Sequence, residues 1–233
     1  MPILVADCVS KSFNGRRVLS AGTLRAETGQ VRVIFGRNGV GKSTLMKIAA
    51  GLVSPDSGVV HFHGASYLRV RLASFARHGL FYLPDHELLS SAFTLGRQLA
   101  FQHDRFGRRS VSEAADMANV AHLLTRLPYS LSGGELRRAE VAMALVRRPE
   151  CLLADEPYRG IAPVDHELLT RLFRAIAADG CAVVVTGHEV PTLLDAADHI
   201  TWCTSGTTYE LGPPDVARTH DGFRRDYLGP RMR

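Results

Sequence analysis

Apolar residues occur along this chain in patterns that predict two kinds of β-strand. Residues 31–35, 79–83, 151–154 and 182–186 are short, continuous apolar runs. Runs of this kind suit strands that are covered on both faces, as in a parallel sheet. Residues 3–8, 17–25 and 58–63 lie around turn signals such as "FNG" and "SPDSG". These three segments are predicted to form an antiparallel edge sheet.

Between the strands, apolar residues recur at helical spacing. One stripe consists of Val164, Leu168, Leu169, Leu172, Phe173 and Ile176. A second consists of Leu136, Ala139, Met143 and Val146, and we expect Arg137, Arg138 and Glu140 on the opposite face of that helix. Alternating strands and helices predict an α/β fold with a mostly parallel core sheet and right-handed crossovers.

One segment, from about residue 92 to residue 149, interrupts that alternation because it is mostly helical in pattern. We therefore predict a single domain. Residues 1–91 and 150–233 would form its catalytic core, and residues 92–149 would form an inserted helical subdomain.

Composition narrows the class of protein. The chain has 233 residues, of which 45% are hydrophobic and 22% charged, which fits a globular domain. No run approaches the roughly 18 apolar residues of a membrane span, and the N-terminus lacks a signal-peptide pattern. The cysteines have no metal-ligand spacing, so buried thiols in a reducing cytosol are expected. The formal charge is +5, but basic residues do not alternate with aromatic residues in the way that is typical of single-strand binding. We therefore expect no nucleic-acid partner.

Polar residues follow each of the four continuous apolar runs. In a parallel sheet, sites form just beyond the carboxyl ends of the strands. The residues found there are "GRNGVGKST", "PD", "DE" and "GH". The predicted topology therefore brings Lys42, Asp85, Asp155, Glu156 and His188 towards one edge.

The stretch "GRNGVGKS", residues 36–43, fits a phosphate-binding loop between a strand and a helix. Its glycines permit a backbone that turns N–H groups towards phosphate oxygens, and the helix N-terminus favours the same anion. Lys42 would neutralise the β- and γ-phosphates, and the Ser43 hydroxyl would ligate Mg²⁺. The predicted nucleotide-binding residues in this loop are Asn38, Gly39, Val40, Gly41, Lys42, Ser43 and Thr44.

An acidic pair, Asp155 and Glu156, supplies the matching element in "CLLADE". Asp155 would hold Mg²⁺, directly or through water. Glu156 would orient and deprotonate an attacking water, and a general base typically contributes about 10²–10⁴-fold to the rate. His188 would complete the site by touching the γ-phosphate or the water.

The stretch "LSGGE", residues 131–135, permits two interpretations that are compatible. Ser132 and Glu135 have the spacing of a capping box at a helix start. Gly133 and Gly134 would also expose helix N–H groups to an anion. The spacing does not identify that anion.

Taken together, "GRNGVGKST", "LSGGE", "CLLADEP" and "TGH" resemble the motifs of ATP-binding subunits of ABC (ATP-binding cassette) transporters, in order and approximate spacing. The resemblance implies the cofactors ATP and Mg²⁺ and a head-to-tail dimer with a second ATP-binding subunit, identical or related. It implies that Ser132, Gly133, Gly134 and Glu135 act in trans on the partner's nucleotide. It also implies that the helical segment faces transmembrane permease subunits, with the chain peripheral on the inner face of the cell membrane.

Phe13, in "SKSFNGRRVL", matches the aromatic residue that stacks on adenine in that family, although a core Phe near a turn has the same pattern. Asp85 departs from the family, which usually has Gln at that position. Asp85 is either still a ligand of the metal or the water, or belongs to a loop that has lost the contact. A carboxylate can ligate a metal but lacks the amide's N–H donors.

A second departure follows Glu156, where "PYRGIAP" has Ala162 in place of the Asp of the common Leu-Asp-Pro ending. An Ala-Pro ending resembles the ATPases of branched-chain amino-acid importers. The compact length and the ending "DYLGPRMR" suit that group or the related lipopolysaccharide-exporter ATPases. Two other functions remain open: a soluble ABC ATPase of the iron–sulfur assembly, repair or translation type, and a non-enzymatic nucleotide-binding regulator. The sequence identifies neither the cargo nor the direction of transport.

Overall fold

A ten-stranded sheet runs through the computed structural model, which describes residues 2–69 and 71–228. The strands are β1 (Pro2–Phe13), β2 (Arg16–Glu27), β3 (Val31–Phe35), β4 (Ser57–Phe62), β5 (Ala65–Tyr67), β6 (Leu80–Leu83), β7 (Cys151–Ala154), β8 (Ala182–Gly187), β9 (His199–Thr204) and β10 (Thr207–Gly212). Their order across the sheet is β5-β4-β1-β2-β10-β9-β3-β8-β7-β6.

Helices connect these strands and cover the sheet. They are α1 (Lys42–Ala49), α2 (Leu72–Arg77), α3 (Leu95–Phe106), α4 (Val111–Met117), α5 (Gly133–Arg147), α6 (Pro163–Ala178), α7 (Val190–Ala196), α8 (Pro214–Ala217) and α9 (Asp221–Phe223). Short 3₁₀ turns span Ala121–Leu123 and Pro128–Ser130, and a π turn spans Arg224–Leu228. In the described part of the chain, no helix has both the length and the apolar character needed to cross a bilayer.

The core of the sheet is parallel, as the continuous apolar runs predict. Strand β3 pairs in parallel with β8 and β9, and β7 lies between β6 and β8 in the same direction. Val31, Val33 and Phe35 belong to the hydrophobic cluster on one face, and Ile34 belongs to the cluster on the other. Both faces of β3 are therefore buried, which explains why its sequence does not alternate.

The antiparallel edge sheet is also confirmed. Strands β1, β2, β4 and β5 pair antiparallel, and β1 and β2 are each twelve residues long, longer than the sequence predicts. The turn between β1 and β2 has positive φ at Asn14 (48°) and Gly15 (78°). Two successive positive φ values are those of a type I′ hairpin, for which Asn-Gly is a strong signal.

Within residues 92–149, α3 and α4 both pack against α5. Leu95, Leu99 and Ala114 of this segment belong to the same hydrophobic cluster as Val33 and Phe35 of β3. The division into a catalytic core and an inserted helical subdomain remains a prediction.

The prediction that Arg137, Arg138 and Glu140 form a face of α5 away from the core is wrong. All three side chains are buried, with exposed fractions of 8%, 7% and 1%. Arg137 forms an ion pair with Glu140 at 2.8 Å, and Arg138 forms one with Asp165 of α6. Charged residues are rarely buried unless they are paired, and this pairing lets the polar face of α5 enter the interior.

Three further features differ from the sequence-based expectations. Strands β9 and β10 are not among the predicted strands; in β9 the polar Thr201, only 2% exposed, interrupts the apolar residues Ile200 and Trp202. Cys8 is exposed, whereas Cys151, Cys181 and Cys203 are the buried thiols expected of all four. The last five residues of the ending "DYLGPRMR" lie outside the described residues.

Candidate functional site

The phosphate-loop sequence forms a tight turn between β3 and α1. Gly39 and Gly41 have φ values of 80° and 111°, in the left-handed region that glycine adopts without strain. Gly41 is also the N-cap of α1, and a Cβ there would lie 2.7 Å from a methyl carbon of Leu19. Both glycines are therefore required by backbone conformation, and Gly41 also by the close approach of β2. Asn38 is exposed, while Val40, Ser43 and Thr44 are partly buried.

Lys42 lies within this turn and is only 4% exposed. Its ammonium group donates hydrogen bonds to the carbonyl oxygens of Gly36 (2.7 Å) and Arg37 (3.3 Å). The same nitrogen is 3.6 Å from a carboxylate oxygen of Glu156. These contacts hold the positive charge beside the N-terminus of α1, where an anion is favoured.

Asp155 is the centre of a hydrogen-bond cluster just beyond the carboxyl end of β7. Its side chain is fully buried. One carboxylate oxygen accepts hydrogen bonds from the hydroxyls of Ser43 (3.0 Å) and Thr186 (2.7 Å), and the other accepts one from the hydroxyl of Tyr82 (3.0 Å). Burial, and then the negative charge of Asp155, raise the pKa of Tyr82 above its ordinary value, so the phenol keeps its proton and donates.

This cluster fits Mg²⁺. The ion prefers oxygen ligands, often one or two carboxylates together with substrate phosphates. Asp155 supplies a carboxylate in direct contact with the Ser43 hydroxyl, next to the phosphate loop. Tyr82 and Thr186 are not among the site residues that the sequence predicts. The sequence does show a hydroxyl near the end of each of the two strands that flank β7. It does not give the register of those strands with β7, which brings the hydroxyls to Asp155.

Glu156 follows Asp155 with a φ of 45°, a conformation that costs a non-glycine residue roughly 1–3 kcal/mol. Its backbone N–H donates to the Thr186 hydroxyl at 2.9 Å. Its side chain is 12% exposed and points towards Lys42. The strained backbone thus holds the carboxylate at the phosphate loop.

His188 lies at the same edge but does not join this cluster. Its side chain is 47% exposed, and its Nε2 is 3.6 Å from a carboxylate oxygen of Glu189. Among the described residues it makes no hydrogen bond to Asp155 or Glu156. The position just beyond β8 agrees with the expected topology, while contact with phosphate or water remains a prediction.

Asp85 lies in the loop after β6, where its Oδ1 accepts a hydrogen bond from His86 at 3.2 Å. Burial alone would raise the pKa of Asp85, but the hydrogen bond from His86 and the charge of Lys47 outweigh it, so the pKa lies below its ordinary value. Asp85 makes no hydrogen bond to Ser43 or Asp155 in the described part of the chain. It is ionised at neutral pH, and its negative charge contributes to the raised pKa of Tyr82, although it is not hydrogen-bonded to the Asp155 cluster.

The Asp85 loop is fastened to α5. Arg137 donates to the carbonyl oxygen of Pro84 at 2.9 Å, and Glu140 accepts from the backbone N–H of Leu88 at 2.7 Å. Burial is the largest influence on Glu140 and raises its pKa, which the charge of Arg137 partly offsets. Arg137 and Glu140, which the sequence predicts on the face of α5 opposite its apolar stripe, thus hold the loop that carries Asp85.

We expect Asp85→Gln to change the Mg²⁺ requirement of ATP hydrolysis. If Asp85 ligates the metal or its water, the amide is a weaker ligand, and the Mg²⁺ concentration for half-maximal rate should rise roughly tenfold. The measurement is ATPase rate against Mg²⁺ for both proteins, with Asp104→Asn, an exposed carboxylate on α3, as the control. Identical curves for wild type and Asp85→Gln would show that the carboxylate has no such role.

The "LSGGE" residues form the start of α5. The capping box is present: Ser132 accepts from the N–H of Glu135 at 3.3 Å, and Glu135 accepts from the N–H of Ser132 at 2.8 Å. A Cβ on Gly134 would clash with the carboxylate of Asp165, so a larger residue there would require that side chain to move. Within the described residues, this group makes no hydrogen bond or ion pair to the phosphate loop, Asp155 or Glu156.

A cleft of about 690 Å³ opens beside the phosphate loop, lined by Arg16, Arg17, Arg37 and Gly39 among others. Its arginines suit a ligand with several negative charges. Phe13 lies at the end of β1 near this cleft but outside its lining, 44% exposed, with the Lys11 ammonium 5.6 Å from its ring centre. Stacking of Phe13 on adenine therefore remains a prediction.

The family model of the ABC transporter matches residues 19–159, which contain the phosphate loop, the "LSGGE" group and the acidic pair. The chain belongs to this family. As an ABC ATPase it binds and hydrolyses ATP, which decides against the alternative of a non-enzymatic regulator.

Individual relatives agree with this assignment. The lipopolysaccharide export system ATP-binding protein LptB of Haemophilus influenzae is 28% identical over 243 residues, with full coverage of both chains. The zinc import ATP-binding protein ZnuC of Alcanivorax borkumensis is 32% identical, covering 98% of this chain and 85% of the relative. The ADP conformation of MJ1267, an ATP-binding cassette of an ABC transporter, superposes with a TM-score of 0.86 at 21% identity, covering 98% and 99% of the two chains. The expected resemblance to lipopolysaccharide-exporter ATPases is confirmed.

Proposed function

We propose that this ABC ATPase powers substrate translocation by partner transmembrane subunits, from the cytoplasmic face of the membrane. The observation that carries the proposal is a set of contacts linking an apolar groove to the loop of Asp85. The groove, about 370 Å³, is lined by Phe93, Arg97, Gln98, Phe101 and Met143. Phe101 is 66% exposed, and Phe93, over whose ring the Arg97 guanidinium lies at 4.7 Å, is 42% exposed. An exposed apolar patch that includes two aromatic side chains is typical of an interaction site.

The groove connects to Asp85 through hydrogen bonds. The Gln98 side chain on α3 accepts from the N–H of Ser90 at 2.9 Å and donates to the carbonyl oxygens of Ser90 (3.0 Å) and Phe93 (2.9 Å). Leu88, two residues before Ser90, is held by Glu140 of α5. A permease segment seated in the groove would thus act on the same loop that carries Asp85.

At the nucleotide, we assign each residue a separate task. Lys42 neutralises the phosphates, Glu156 holds and deprotonates the attacking water, and His188 contacts the water or the γ-phosphate. Ser43 and Asp155 would hold Mg²⁺, which when bound neutralises charge on the phosphates. Phosphate would compete with Glu156 for Lys42, now 3.6 Å from that carboxylate, and so release Glu156 to accept a proton.

A second ATP-binding subunit completes the proposed site. Ser132, Gly133, Gly134 and Glu135 start a helix whose N–H groups make no contact with this chain's own phosphate loop among the described residues. Such groups suit an anion supplied by another subunit. The proposal is a head-to-tail dimer, with this chain or a related one, in which each "LSGGE" group meets the partner's nucleotide.

The groove gives a direct test of transport coupling. Phe101→Glu places a charge in the proposed permease contact, and we expect the protein to leave the membrane fraction of its host and appear in the soluble fraction. Leu68→Glu is the matched control, because Leu68 is 77% exposed and directly follows β5, the strand at one edge of the sheet. Thermal melting of both purified variants checks that they fold.

Equal membrane association of Phe101→Glu and wild type would contradict docking at this groove. A wild-type protein that is entirely soluble and never co-purifies with a membrane protein would favour the alternative, a soluble non-transport ABC ATPase.

A further inference from the structure

A second basic cavity, of about 200 Å³, lies at the opposite ends of the parallel strands from the nucleotide cleft. We call it the arginine cavity, because four arginines line it together with Phe106 and other residues: Arg77, Arg108, Arg147 and Arg148. Arg77 ends α2, just before β6, and Arg147 ends α5, just before β7. The cavity is therefore at the amino ends of these strands, whereas Asp155 follows the carboxyl end of β7. The four residues of β7 separate its amino end from its carboxyl end by roughly 13 Å.

The positive charges of the arginine cavity exceed the negative charges around it. Arg108 is 3.6 Å from Glu150, and Arg148 is 3.0 Å from Asp179. Both carboxylates are shared, Glu150 with a histidine and Asp179 with a further arginine. Arg77 and Arg147 donate instead to backbone carbonyl oxygens and form no ion pair within residues 2–69 and 71–228.

Arg147 is the most constrained of the four. Its guanidinium stacks on the ring of Phe106, 4.6 Å from the ring centre, and donates to the carbonyl oxygen of Ala76. Burial, and then the charge of Arg108, lower the pKa of Arg147. The C-terminal dipole of α5 favours this cation but does not replace an anionic partner for a half-buried charge beside other arginines.

We propose that the arginine cavity binds a phosphate group, either free in solution or carried by an anionic lipid. Guanidinium groups present paired N–H donors that match two phosphate oxygens, and the bond is strengthened by charge. The volume is below the roughly 300–1,000 Å³ of a typical small-molecule pocket, so it suits a single phosphate group rather than a nucleotide.

The test must exclude phosphate bound at the nucleotide site. Inorganic phosphate is titrated by calorimetry into full-length protein saturated with a non-hydrolysable ATP analogue, at constant ionic strength. We expect one saturable site, weakened about tenfold by Arg77→Gln and by Arg108→Gln, since each loses a charge-assisted hydrogen bond. Arg171→Gln, at an exposed position of α6 with one weak ion pair, removes the same charge elsewhere and should leave binding unchanged.

A parallel arm distinguishes the two sources of phosphate. Sedimentation with vesicles of phosphatidylglycerol, compared with phosphatidylcholine, tests a lipid headgroup. Binding to the anionic vesicles alone, weakened by Arg77→Gln but not by Arg171→Gln, would support the lipid source. Absence of binding in both arms, or equal loss in Arg77→Gln and Arg171→Gln, would overturn the proposal. Arg77 and Arg108 are exposed, so their replacement by Gln should leave the fold intact.

Discussion

Replacing Glu156 by Gln should slow ATP hydrolysis by about 10²–10⁴-fold while leaving ATP bound. The amide keeps the size of the side chain but cannot accept a proton from water. Gln meets the same backbone strain as Glu at a φ of 45°, so the fold should persist. Steady-state ATP turnover with Mg²⁺ measures the loss, and light scattering measures the oligomeric state. We expect the variant to accumulate as an ATP-bound dimer.

The matched control is Glu167→Gln, because Glu167 is an exposed carboxylate on α6 whose partner is Arg171. Its turnover should equal that of wild type. Retention of more than about a tenth of wild-type turnover by Glu156→Gln would show that another group is the base. A stalled variant that stays monomeric would leave the base assignment intact but would contradict the shared site of the head-to-tail dimer.

The sequence predicts the strands that carry the site because burial on both faces leaves a local signal. Residues 31–35, 79–83, 151–154 and 182–186 are continuous apolar runs, and each lies in or closely overlaps an observed parallel strand. The polar residue that follows each run is then placed at one edge by topology alone. This is why Lys42, Asp155 and Glu156 could be expected together before any contact was known.

The sequence does not predict features that depend on non-local pairing. The hydroxyls of Tyr82 and Thr186 reach Asp155 from the two strands that flank β7, and only the register of those strands brings them there. Arg137 and Glu140 occupy polar positions of the helical repeat. They form an ion pair with each other, about one turn apart, and both side chains are buried. Periodicity identifies a polar face but not whether its charges are paired.

Asp155→Asn should remove the effect of Mg²⁺ on ATP binding. Loss of a supporting contact to a metal ligand typically weakens metal affinity about 10–100-fold, so loss of the proposed ligand itself should do at least as much. ATP affinity without Mg²⁺ should change little. The free energy of unfolding should fall by roughly 1–3 kcal/mol, because hydrogen bonds to a charged acceptor become bonds to a neutral one. A fluorescent ATP analogue, titrated with and without Mg²⁺, measures the first effect, and urea unfolding measures the second.

Tyr82→Phe separates metal binding from fold stability. It removes one of the three hydroxyls that hold Asp155 but keeps the carboxylate, so the Mg²⁺-dependent gain in ATP affinity should fall about tenfold. Tyr209→Phe, which removes an exposed hydroxyl on β10, should have no effect. If Asp155→Asn and Tyr82→Phe both lower stability while the Mg²⁺ effect on ATP binding stays at its wild-type value, then the Asp155 cluster is a structural clamp between β6, β7 and β8. The metal would in that case have to be held by other residues.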